Sequence, residues 1–109
     1  MSDKTARIRE LNDQLRKNLE GGRIVMTIGV NALEANVKQQ VLDKVRAFDD
    51  FTPDNDPHGE HDMAFLEVDG ERIFFKVDYY DSAMQYHSPD PADAGLTRRV
   101  LTIGLASDY

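Results

Sequence analysis

The chain has 109 residues, 40% hydrophobic and 30% charged, with no cysteine and a formal net charge of −7 at pH 7. That length suits one domain with its own core, the missing cysteines exclude disulfides and thiolate metal sites, and no apolar run approaches the roughly 18 residues of a membrane span. With a polar, charged N-terminal stretch and no signal peptide, the expected location is the cytoplasm, without membrane contact.

In chain order, residues 3–20 predict an amphipathic helix, because Ile8, Leu11, Leu15 and Leu19 share one stripe. Gly21-Gly22 should end it, since glycine takes the left-handed C′ conformation cheaply. Arg23 to Ile28 is β-branched, apolar and bounded by glycines, which predicts a short strand. Asn31 followed by Glu34 has capping-box spacing and predicts a second helix over 32–48, with Leu33, Val37, Val41, Leu42, Val45 and Phe48 turned inward. Asp49-Asp50 closes that helix with the wrong sign for its dipole, a hint that the acidic pair serves another purpose. Pro53, Pro57 and Gly59 make 52–60 a loop.

Asp69-Gly70 between alternating apolar runs is a hairpin signal, because a two-residue type I′ turn needs positive φ at both positions. Built outward from that turn, Val68 faces Glu71, Glu67 faces Arg72, Leu66 faces Ile73, Phe65 faces Phe74, Ala64 faces Phe75 and Met63 faces Lys76. Continued to the open end, the same register sets His61 opposite Asp78. Alternation then assigns Ala64, Leu66, Val68, Ile73, Phe75, Val77 and Tyr79 to the core face. It gathers His61, Lys76, Asp78 and Tyr80 on the other face, beside the acidic loop. Residues 82–95 form a second polar connection. Residues 99–106 alternate and predict a strand, with a C-terminal helix as the alternative because Leu101, Leu105 and Tyr109 share a helical stripe. The expected fold is an α+β domain over 1–109 in the order α-β-α-β-β-β, an antiparallel sheet around the hairpin backed by two helices.

The charge is unevenly placed. Residues 49–93 carry 13 Asp/Glu against Arg72 and Lys76, a net −11, whereas residues 1–48 sum to +3. Such a lobe repels phosphate backbones and attracts basic surfaces. Direct nucleic-acid binding is therefore not expected of it. The expected partner is a basic protein surface, such as that of a nucleic-acid-binding protein, met by Asp49, Asp50, Asp54, Asp56 and Glu60. The plainer use of the same charge is solubility.

Two chemical readings compete with that one. A His61–Asp78 dyad would fix the imidazole tautomer for general-base work on water, with Lys76 and Tyr80 alongside as further catalytic candidates. The plain alternative is a hydrogen-bonded pair closing the hairpin. A divalent metal could draw on His58, His61, Asp62 and Asp78 in a small hydrolase or nuclease. A calcium loop fails, because Asp54, Asp56 and Gly59 fit positions 1, 3 and 6 but position 12 is Phe65. His58 and His61 lack the helix that a metalloprotease motif needs. No phosphate loop, dinucleotide fingerprint or nucleophile elbow is present. The leading expectation is a non-enzymatic interaction protein with no cofactor.

The segments TIGV (27–30), AFDDFTPDNDPHGEHD (47–62), KVDYYD (76–81) and RVLTIGLASDY (99–109) resemble a small bacterial family catalogued as domain of unknown function 3768. The chain departs from that pattern at Met63-Ala64, where an aromatic residue and glycine are usual, and at Gly104, where methionine is usual. The resemblance brings no established activity. Its members resemble accessory genes carried on mobile elements, which implies a role in interaction or anti-defence.

Overall fold

The computed structural model describes residues 3–109. The first helix, α1, spans Asp3–Asn18 and buries Ile8, Leu11, Asn12, Leu15 and Arg16. The chain reverses through Leu19 and Gly21, both at positive φ, and enters β1, Gly22–Met26. Gly22 has a steric reason: a Cβ there would stand 2.6 Å from the Arg99 carbonyl oxygen.

The single second helix expected over 32–48 is two pieces. One turn, α2, covers Ile28–Asn31, and α3 runs Ala35–Ala47. The expected capping box is not formed. Asn31 is spent inside α2, its amide donating to the Thr27 carbonyl at 2.9 Å, and Glu34 is the N-cap of α3 without a side-chain cap.

The hairpin follows its turn. β2 (Met63–Val68) and β3 (Glu71–Tyr80) pair from Met63–Lys76 to Val68–Glu71, with Asp69 and Gly70 at φ 52° and 80°. β4, Arg98–Leu105, is a strand; only a 3₁₀ turn, Ala106–Asp108, remains of the helical alternative. The sheet order is β1-β4-β3-β2. β4 runs antiparallel to β3 but parallel to β1, so the sheet is mixed and not wholly antiparallel. Parallel neighbours need a long crossover, and everything from α2 to β3 supplies it. The similar stretches VMTIG and VLTIG thus lie on adjacent strands, Val25 opposite Thr102.

One face of the sheet carries the core: Ala64, Val68, Ile73, Phe75, Val77, Leu101 and Ile103 pack with Leu15, Val30, Val41 and Val45. Each aliphatic side chain fully buried there contributes roughly 1.5–3 kcal/mol. The opposite face is not bare. Phe74 is buried on it because Gly104 makes room: a Cβ at 104 would lie 2.5 Å from Phe74 Cε1. Tyr109 then closes edge-on over that ring, centroids 5.1 Å apart.

Candidate functional site

The open end of the hairpin meets the loop of residues 49–62, and side chains from α1 organise both. The loop is folded on itself. Asn55 accepts from the Thr52 amide at 2.8 Å and donates to the Asp50 carbonyl at 2.8 Å. Asp56 accepts from the His61 amide at 3.2 and 3.3 Å. Asp56, expected as a surface contact, is therefore buried, because its carboxylate closes a backbone turn. Glu60 is also partly drawn inward, accepting from the Tyr79 hydroxyl at 2.8 Å.

His61 does not face Asp78. Its φ of +54° turns the chain just before β2, although the Asp62 carbonyl still accepts from the Val77 amide at 2.8 Å. Alternation fails at that residue and the imidazole swings to the helix side. There it stacks on Phe51, centroids 3.9 Å apart at 6°. Its Nδ1 lies 2.9 Å from Asp13 Oδ1 and its Nε2 lies 3.8 Å from Asp56 Oδ2. A carboxylate can only accept, so Nδ1 donates to Asp13. Asp78 instead pairs with Lys76, and the backbone of Tyr80 bridges to His87. His58 is exposed. Among the described residues no group of three or more His, Asp or Glu stands where it could hold a metal ion. Asp62 has its carboxyl pushed above the ordinary carboxylate range, mainly by burial and further by the charges of Glu60 and Asp56, with its own backbone amide opposing.

Arg16 holds this end together. It is 1% exposed, and its Nη1 donates to the carbonyls of Val45 (3.0 Å), Arg46 (3.3 Å) and Phe48 (2.6 Å). These are the last carbonyls of α3 and its C-cap, and a cation is what the helix dipole favours there. The Val45 carbonyl also accepts a long bond from the Phe48 amide at 3.4 Å. Nη2 donates to Asp13 at 3.1 Å. The guanidinium carbon lies 5.3 Å from the ring centroids of both Phe51 and Phe75. Burial draws the Arg16 pKa down, against the charges of Asp13 and Asp49. The acidic pair after α3 is tolerated because a cation from another helix already serves that terminus.

A second knot lies beside the first. Asn12 donates to the Tyr79 hydroxyl at 2.7 Å and the Glu60 carbonyl at 3.0 Å, and accepts from Arg99 Nε at 2.9 Å. Arg99, itself buried, also donates to the Pro91 carbonyl and lies 5.2 Å from the Tyr79 ring centroid. Burial pushes the Tyr79 phenol well above its ordinary value. Asn12 and Arg16 were not among the expected site residues. Their one sequence signal is spacing: with Ile8 they fall at i, i+4 and i+8, beside the leucine stripe.

Between loop and α1 lies a shallow cleft of about 330 Å³, lined by Arg9, Phe51, Asp56, His58, Gly59 and His61. The His61 ring is held by Asp13 at one nitrogen, faces Asp56 at the other and is covered on one side by Phe51, which suits a fixed strut better than a free base. The loop's exposed carboxylates are Asp49, Asp50 and Asp54, with His58 exposed beside them.

Residues 26–108 match a family model described as Protein of unknown function (DUF3768). The chain belongs to this family. The match takes in α2, α3, the loop, the hairpin and β4 but not α1, so Asn12, Asp13 and Arg16 lie outside the matched range. No curated protein and no solved structure matches the chain. Among the described residues, no helix is long and apolar enough to cross a membrane.

Proposed function

We propose that this member of the family is a non-enzymatic interaction module that presents loop carboxylates to a basic protein surface. The observation that carries this reading is the division of labour in residues 49–62. Asp56 and Glu60 are spent on structure, which leaves Asp49, Asp50 and Asp54 exposed on a loop braced by Asn55 and Arg16. Charges fixed in place before encounter cost less ordering entropy on binding and steer association. In its concrete form the module is a mobile-element anti-defence protein acting in the cytoplasm. Its carboxylates stand where a nucleic-acid-binding target expects phosphates. The stretch of net −11 disfavours nucleic acid itself as the partner.

The test is capture from bacterial lysate at low and high ionic strength, followed by association kinetics with the captured protein. Retention should fall steeply with salt. The triple variant D49N/D50N/D54N should bind more slowly with little change in dissociation, as rim charges do. A triple variant that binds unchanged at low salt removes this reading.

A further inference from the structure

A separate cavity of about 550 Å³ opens beside the start of β1, lined by Arg23, Arg98, the buried Arg99, Thr97, Met84, Ala94 and Val100 beside Gly21 and Gly22; Arg23, Arg98 and Val100 belong to the sheet face opposite the core. That size lies within the roughly 300–1,000 Å³ typical of small-molecule sites. Its strands set the two exposed arginines on one face, at diagonal positions of adjacent strands. Arg23 pairs with Val100 across the parallel ladder, and Arg98 lies two residues before Val100 on the same face of β4. Among the described residues, neither guanidinium has an ion pair or side-chain hydrogen bond, in a chain with 20 acidic side chains. Like charges at neighbouring positions of a sheet face repel, and an anion seated between them relieves that cost.

The rest of the lining is mixed, the buried Thr97 and Arg99 beside the apolar Val100, Met84 and Ala94. Val100 is buried, and Met84, Ala94 and Thr97 come from the connection between β3 and β4, which makes one wall. Two buried hydroxyls pin that wall: Ser88 bonds Thr97 at 2.7 Å, and Thr97 donates to the Asp90 carbonyl at 2.9 Å. The Ser88 amide reaches the Tyr79 carbonyl at 3.0 Å and the Asp81 amide reaches the Tyr86 carbonyl at 2.8 Å. Met84 is held at φ 59°, a conformation that costs energy for any residue but glycine and gathers at ligand sites. At the rim, a Cβ on Gly21 would meet nothing within 4 Å, so a ligand can approach bare backbone there.

We infer that this cavity binds a small organic anion, a carboxylate or phosphate group carried on an apolar body, with Arg23 and Arg98 clamping the anion and Met84, Ala94 and Val100 receiving the body. Guanidinium forks suit both oxyanions because they donate two parallel hydrogen bonds. The inference is independent of the acidic-loop reading and uses none of its residues.

The test is amide NMR titration of the full chain with phenyl phosphate, benzoate, inorganic phosphate and benzyl alcohol. Phenyl phosphate, benzoate or both should shift the amides of Gly21, Gly22, Met84, Ala94 and Val100, and which of them binds tighter identifies the anion. R23Q/R98Q should weaken that binding by about 10–100-fold, as loss of charge-assisted hydrogen bonds does, with the remainder of the spectrum unchanged because both residues are exposed. Met84→Gln should weaken phenyl phosphate but not inorganic phosphate. Absence of shifts at those amides overturns the inference, as does equal affinity for benzyl alcohol, for inorganic phosphate, or for the double variant.

Discussion

The two ends of the hairpin are held by different forces. At the turn, neighbouring residues pair directly and the cohesion is local and apolar, Val68 and Ile73 both fully buried. At the open end the same strands are closed by polar side chains from remote segments, Arg16 and Asn12 of α1 and Arg99 of β4. An apolar contact tolerates small shifts, whereas a guanidinium bonded to three carbonyls fixes the position of all three. The open end, where the acidic loop must hold its shape, uses the stricter device.

Breaking that device gives the largest expected effect. Arg16→Ala strips the Arg46 and Phe48 carbonyls of their Arg16 donor and leaves the Asp13 carboxylate to His61, and should destabilise by about 3–5 kcal/mol, measured by chemical denaturation. Arg16→Lys keeps the charge but loses the fork and should recover only part of that loss. A cost for Arg16→Ala below about 1 kcal/mol would mean the open end is held as the turn is. For comparison at the apolar, turn side, Ile73→Ala should cost about 2–5 kcal/mol through its cavity.

Tyr79→Phe should cost about 1–2 kcal/mol, since it strips a donor from Glu60 and an acceptor from Asn12. It should also change the alkaline limb. Burial raises the folded Tyr79 pKa above that of the unfolded chain, so the folded state retains the proton longer. Its contribution is full below the ordinary phenol value of about 10 and is lost as pH rises through the folded value. The gap between wild type and variant should narrow above about pH 10, and a constant gap would place Tyr79 in water.

Asp62→Asn should act in the opposite direction and more weakly. Burial raises the folded pKa of Asp62, so its contribution is greatest below the ordinary carboxylate value of about 4 and declines as pH rises past it. The variant should be slightly more stable than wild type at pH 7 and lose that advantage at acid pH, which thermal melts at both pH values check. The smallest effect belongs to D49N/D50N/D54N, whose melting should move by no more than about ±0.5 kcal/mol equivalent while partner association slows.

The difference between the two ends also explains what was legible before the structure. Pairing from Met63–Lys76 to Val68–Glu71 follows from one turn and strict alternation, both local properties. His61 broke the extrapolation because a positive φ at a non-glycine residue leaves no compositional trace. Asp56 read as surface because an aspartate between prolines signals a turn but not which amide it caps. Arg16 does not stand out in the sequence, because an arginine on a helix beside a charged neighbour is usually solvated. Its partners lie on another helix and a loop, beyond any spacing rule. The strand at 99–106 was visible in its β-branched alternation, but its parallel neighbour was not, since adjacency between β1 and β4 depends on how the crossover between them folds. Family membership was legible from the loop and strand blocks themselves and agrees with the matched range.

The reach of the α1 side chains bears on the order in which the chain assembles. Arg16 bonds carbonyls 29 to 32 positions ahead, and Asn12 and Arg9 reach 48 and 50 positions ahead. Loop closure of that length must precede any return from those bonds, whereas the hairpin can form from its own turn within microseconds. The acidic loop therefore sets after the hairpin, and only once α1 has docked. It should also be released first: amide exchange at Asp56, Gly59 and His61 should track detachment of α1, while the strands of the hairpin stay protected until the whole domain opens.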